Sequence, residues 1–124
     1  MNTLRNRVYV AGPYTADTEE QTLANVHAAI KAGERLRAHG YVPFVPHLFH
    51  WWHKLSPHGY QYWMDLDQVW LESCDILCRI DGESPGGDIE KGWAHQLRIP
   101  VFHGVEELLK TLGCCDNPRV HCLE

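Results

Sequence analysis

Four short runs rich in apolar and β-branched residues recur along this chain, with stretches of helical spacing between them, and that alternation restricts the fold more than any other feature. Arg7 to Gly12 reads as a first buried strand, ended by the sharp turn of Gly12-Pro13. From Thr18 to His39, Leu23, Val26, Ile30, Gly33 and Leu36 recur at steps of three and four, and Gly40 stops the helix. Tyr41 to Pro46 is the second strand, and Pro43 makes it an edge. Tyr60 to Ser73 resumes helical spacing through Trp63, Leu66, Trp70 and Leu71, and Asp75 to Ile80 forms the third strand. Asp88 is placed to cap a helix to about Leu97, Pro100 to His103 is the fourth strand, and Val105 to Leu112 is a last helix ended by Gly113. The order predicts an α/β, Rossmann/flavodoxin-like three-layer sandwich with a four- to five-stranded parallel sheet. One domain covers residues 1–113, and 114–124 is a C-terminal tail.

Charge and cysteine content exclude several classes. The formal charge is −5 with nine neutral histidines, and the lysines and arginines are scattered, so no basic stripe exists for a nucleic acid. Met1 to Arg7 carries no apolar signal region and no run is apolar enough to span a membrane, which places the protein in the cytoplasm. Five cysteines read as reduced thiols, with Cys74 and Cys78 at the buried third strand. Cys114, Cys115, His121 and Cys122 can be drawn as zinc ligands, but adjacent cysteines lack the gap of ordinary zinc knuckles, and the expectation is no metal.

Open parallel sheets bind ligands outside the carboxyl ends of their strands, which selects the segments after Gly12, Pro46 and Ile80. Ser84-Pro85-Gly86-Gly87-Asp88-Ile89-Glu90 joins a hydroxyl, two glycines and a helix start, the outline of an anion site. Glu90 then falls in the first turn, where the helix dipole favours its ionised form. An exposed turn followed by a helix-favouring glutamate fits the same spacing equally well. The segment from His47 to Tyr60 carries His47, His50, His53 and His58 among Phe49, Trp51 and Trp52, too aromatic for a solvated loop. An aromatic base pocket ranks first for it, a structural lid second and a metal site third.

Three patches carry a family resemblance: Tyr9-Val10-Ala11-Gly12; Asp67 with Trp70, Leu71 and Asp75-Ile76; and Ser84-x-Gly86-x-x-x-Glu90-x-Gly92-x-Ala94. In these the chain resembles the nucleoside 2-deoxyribosyltransferase-like superfamily, and more closely its 2′-deoxynucleoside 5′-monophosphate N-glycosidase branch. Transferases of free nucleosides usually carry Asp six residues before the nucleophile, where this chain has Ser84. A hydroxyl donates to a phosphate that a carboxylate repels, so the residue leans toward a 5′-phosphorylated substrate. Pro13 leans the other way, removing a backbone donor from the first loop.

The resemblance implies an N-glycosidase cleaving the base–sugar bond of a (deoxy)nucleoside 5′-monophosphate through a glycosyl-Glu90 intermediate, without a cofactor. It makes Glu90 the nucleophile and Asp67 the proton donor, which requires the Asp67 pKa to be raised relative to Glu90, and has Tyr9 position Glu90. Substrate contacts are expected from Gly12, Tyr14, His47, His50, Trp51, Trp52, Ser84, Gly86 and Gly87. It also implies a homodimer or larger homo-oligomer. Three alternatives stay open: deoxyribosyl transfer between free nucleosides, a different N-glycosidase acting on nicotinamide dinucleotides, and a non-catalytic nucleotide-binding or sensor domain on the same fold.

Overall fold

The computed structural model describes residues 6–115. β1 (Arg7–Ala11), α1 (Glu19–Ala38), β2 (Val42–Phe44), a 3-10 turn (Pro46–Leu48), α2 (Phe49–Leu55), α3 (Tyr60–Glu72), β3 (Ile76–Arg79), α4 (Pro85–Gln96), β4 (Val101–His103) and α5 (Val105–Leu112) follow in chain order. Among the described residues the strands form one parallel sheet in the order β2-β1-β3-β4. The chain leaves β1 toward one edge and returns past it to β3, which puts the topological switch point between these two strands.

Strand alternation sorts the core into two layers. Val8, Val10, Ile76 and Cys78 point to one face and bury against Ala29 and Leu36 of α1 and Val105 and Leu108 of α5. Tyr9, Ala11 and Leu77 point to the other and bury against Leu71 of α3 and Ala94 of α4. The result is the three-layer α/β sandwich expected from the sequence, with four strands. Cys74 and Cys78 lie in these layers, and burial pushes their thiols up to about 11 and about 12, so both are inert apolar filler near neutral pH.

The segment after Pro46, to which the sequence assigned no element, is helical: Pro46 opens the 3-10 turn, where its missing N–H costs nothing, and α2 follows directly. One local expectation needs correcting. The fourth helix is capped by Ser84 and begins at Pro85; Ser84 Oγ accepts from the Gly87 N–H at 2.9 Å. Asp88 instead lies in the first turn, paired with Arg79. His121 and Cys122 lie outside the described residues.

Gly40 joins α1 to β2 at φ +91, and a Cβ there would sit 1.9 Å from the Cys115 carbonyl oxygen. Cys115 also donates its N–H to His39 O at 2.7 Å, so the start of the tail is packed on this turn. Gly40→Ala is expected to cost about 2 kcal/mol or more through backbone strain and displacement of Cys115. Gly92→Ala, in α4 with nothing within 4 Å of the added carbon, is expected to stabilise by about 0.5–1 kcal/mol. Urea titration of the two variants checks both signs.

Candidate active site

Two helices carry the acidic residues of the site on buried stripes. In α4 the buried positions are Gly87, Glu90 and Ala94, and in α3 they are Met64, Asp67 and Leu71, each set spaced by three and four residues. The two helices pack on the Tyr9 face of the sheet, so Glu90 (6% exposed) and Asp67 (8% exposed) arrive beside the carboxyl end of β1. Tyr9, fully buried, donates its hydroxyl to Glu90 Oε2 at 2.5 Å.

Glu90 and Asp67 lie on the floor of a cleft of about 1010 Å³, with Tyr9 beneath them in the core. Gly12, Tyr14, His47, His50, Asp67, Ser84, Gly86, Gly87 and Glu90 all line it. Trp51 and Trp52, expected in the base pocket, do not: they are 45% and 50% exposed. The reason is helical geometry. His47, His50 and Lys54 share one side of the 3-10 turn and α2, and the two intervening tryptophans rotate outward. Aromatic lining comes instead from Phe49, Tyr60 and Trp63.

The loop after β1 is tied to this wall. His47 Nε2–H donates to Pro13 O at 3.0 Å and Gly12 O at 3.3 Å, which fixes its tautomer, and burial holds its pKa below the ordinary value. Gly12 must be glycine, because a Cβ would lie 2.3 Å from Ile80 Cγ1. Tyr14 OH meets His50 Nδ1 at 2.7 Å, and His50 Nε2 faces Glu19 Oε2 at 3.5 Å. Lys54 Nζ pairs with the same Glu19 oxygen at 3.0 Å. Tyr14 therefore spends its hydroxyl on holding α2 against the mouth of the cleft.

Electrostatics at the floor depart from the expectation that Glu90 is ionised by a helix terminus. Because α4 starts at Pro85, Glu90 lies in its second turn, and burial pushes it up to about 8, with the Asp67 charge adding to the rise. Burial alone pushes Asp67 up to about 7, so it is Glu90, and not Asp67, that is raised further. Near neutral pH the pair retains a proton. Donors distinguish its two positions: Tyr9 and Arg79 both favour a charged Glu90, while Asp67 Oδ1 is buried with no partner among the described residues. Tyr9 itself is held well above its ordinary pKa by burial and then by Glu90, so it stays a donor.

Arg79 went unseen in the sequence, although an arginine ending an apolar strand is a legible anomaly. It is 8% exposed, beneath Gly87 and the β3–α4 connection. His53, in the segment read as a base pocket, also lines the cleft, and its Nδ1 accepts from Trp63 Nε1–H at 2.9 Å.

Residues 6–103 match the family described as "Domain of unknown function (DUF7768)". The chain belongs to that family. Among curated proteins none matches it. Among solved structures, this DUF7768 chain is similar to the 2-deoxyribosyltransferase from the psychrotolerant bacterium Bacillus psychrosaccharolyticus, described as a suitable biocatalyst for the industrial synthesis of antiviral and antitumoral nucleosides. The similarity has a TM-score of 0.55 at 21% identity and covers 77% of this chain and 69% of that one. It shows that the DUF7768 chain has the fold of a nucleoside 2-deoxyribosyltransferase-like protein.

Carboxyls raised by burial bind protons more tightly folded than unfolded, so their contribution to stability is present below about pH 4 and lost as pH rises through about 7 to 8. Glu90→Gln removes one of these burdens. Its melting temperature is expected to match the parent at pH 5 and to exceed it by several degrees at pH 9, as checked by thermal denaturation at the two pH values.

Proposed function

We propose that this protein cleaves the N-glycosidic bond of a (deoxy)nucleoside 5′-monophosphate, with Glu90 as nucleophile. The observation that carries the reading is the buried Tyr9–Glu90 hydrogen bond beside an unpartnered Asp67 oxygen on the floor of a ligand-sized cleft. In the first step Glu90 forms a bond to the anomeric carbon as the bond to the base nitrogen breaks, and the Asp67 proton passes to the departing base. Water then attacks the anomeric carbon, Asp67 takes its proton, and Glu90 leaves as a carboxylate. Tyr9 holds the attacking oxygens in place and accepts no proton in either step. No cofactor enters this scheme. The fold shared with a 2-deoxyribosyltransferase supports sugar transfer chemistry of this kind.

The start of α4 offers the phosphate its seat. Ser84 Oγ accepts from Gly87, which leaves its own O–H to donate, and the Gly86 N–H is a first-turn donor that the cap does not use. Gly87 contributes no free amide, since its N–H is spent on the cap. A second reading, deoxyribosyl transfer between free nucleosides, draws support from Pro13 and from Asp17, Glu19 and Glu83, acidic residues on the cleft wall that oppose a dianion. The ratio of kcat/KM for one nucleoside with and without its phosphate separates them: tenfold or more in favour of the monophosphate is expected, and preference for the free nucleoside assigns the second reading.

Self-association accompanies the reading. Trp52, Val69 and Trp70 are exposed on α2 and α3, and ring contacts through Phe44, Phe49 and Trp63 join the tryptophans into one surface, a face suited to a second copy.

Activity requires one carboxyl ionised and one protonated. Base release is expected to follow a bell-shaped pH profile, rising as the first carboxyl ionises near 7 and falling as the second ionises near 8. Glu90→Gln is expected to lose several orders of magnitude in kcat with the fold kept, and Asp67→Asn about 10²- to 10⁴-fold on ordinary bases with partial rescue by better leaving groups. Free-base assay across pH, with a panel of nucleosides and monophosphates, checks all three. Near-normal turnover by Glu90→Gln contradicts the assignment.

A further inference from the structure

Two arginines lie in the sheet strands of the described residues: Arg7 opens β1 and is exposed, whereas the guanidinium of Arg79 is almost completely enclosed. A buried cation is costly unless its donors are matched. Here they are. Nε and Nη2 donate to Asp88 Oδ1 at 3.2 and 3.1 Å, Nη2 also donates to Gly82 O at 2.9 Å, and Nη1 donates to Ile80 O. One planar group thus gathers the end of β3, the turn at Gly82 and the first turn of α4.

The connection it gathers is the segment that delivers Ser84 and Glu90. A Cβ on Gly87 would lie 3.1 Å from Arg79 Nε and 3.3 Å from Cζ, so the absence of a side chain at this position lets the helix settle directly on the guanidinium. Gly82 keeps φ +117 beside Pro13, which joins the clamped turn to the loop after β1. Arg79 therefore does not line the cleft and holds its β3–α4 wall from outside, through two backbone carbonyls and the Asp88 carboxylate.

We propose that Arg79 is the positioning residue of this site: its fork clamps the β3–α4 connection so that Glu90 is presented to the cleft. Its charge lies against Gly87 in the first turn of the helix that carries Glu90, and there it favours the ionised carboxylate. The inference rests on the assignment of Glu90 as nucleophile for its catalytic meaning, while the clamp and its charge are testable without turnover. Glu90 faces Tyr9 from β1, Asp67 from α3 and Arg79 from β3; of these, Arg79 is the sole cation. Around Arg79 itself stand Asp81, Asp88, Lys91 and His103.

Lysine cannot reproduce a fork that serves three acceptors, whereas it keeps the charge. Asp88→Asn keeps the charge of Arg79 and weakens only the ion pair, whose acid is exposed. The test measures two quantities on the folded protein: the titration of the Glu90 side-chain carboxyl by carbon-detected NMR, and amide hydrogen exchange over residues 80–88. Arg79→Met is expected to raise the Glu90 midpoint by about one pH unit and to speed exchange at least tenfold. Arg79→Lys is expected to leave the midpoint near the parent value, to speed exchange and to lower kcat with little change in KM. Asp88→Asn should change the midpoint least of the three.

If Arg79→Met does not fold, Arg79→Lys decides: unchanged exchange over 80–88 together with unchanged kcat overturns the clamp. A folded Arg79→Met with an unmoved Glu90 midpoint overturns the electrostatic part. Should Glu90→Gln prove active, the nucleophile assignment fails while the titration and exchange results still judge Arg79.

Discussion

The hydrogen bond from Tyr9 to Glu90 joins the middle of the first strand to the second turn of the fourth helix, across 81 positions of sequence, inside the core. Everything else about the site depends on that buried link. It requires β1 to present Tyr9 on the α3/α4 face, and strand alternation does so because Val8 and Val10 are claimed by the α1/α5 face. It also requires α4 to begin early enough that Gly87, Glu90 and Ala94 make one buried stripe. A carboxyl in such a place holds on to its proton, and Tyr9 and Arg79 offset only part of that burial, which still leaves Glu90 raised to about 8.

Asp67 is the counterpart without compensation. Its Oδ1 is buried with no partner among the described residues, and burial by itself pushes its pKa up to about 7. Two carboxyls of one chemistry are therefore differentiated by surroundings: one is held by a phenol and a guanidinium, the other is left bare. That is the arrangement in which one acid of a pair serves as nucleophile and the other as proton carrier.

Much of this was readable from residues. The strands were visible because β-branched runs end at Gly12, Pro46 and Ile80, and the carboxyl-end rule picked the segments that line the cleft. α2 was not visible, since Pro46 and Pro57 bracket a short aromatic segment whose helicity comes from packing on α1 and the β1 loop rather than from propensity. Missing that helix also misplaced Trp51 and Trp52, because only a 3.6-residue period turns them away from His47 and His50. The cap of α4 was shifted by four residues: Asp88 and Ser84 are both good caps, and Pro85 as first helical residue was the deciding signal. The raised pKa of Glu90 follows from burial and, after it, from the Asp67 charge, neither of which a linear pattern displays. Arg79 shows the same limit, as its partners are backbone carbonyls and one aspartate brought together only by the turn.

If Glu90 attacks the sugar, a covalent glycosyl-enzyme forms at its carboxylate. Rapid quenching of the protein with a slow 2′-modified nucleoside monophosphate, followed by mass analysis of the intact chain and its peptides, tests it most directly. A mass increase equal to the sugar phosphate is expected, confined to the peptide holding Glu90 and absent from Glu90→Gln. Base release by the parent with no such adduct, and with inversion at the anomeric carbon, would contradict it.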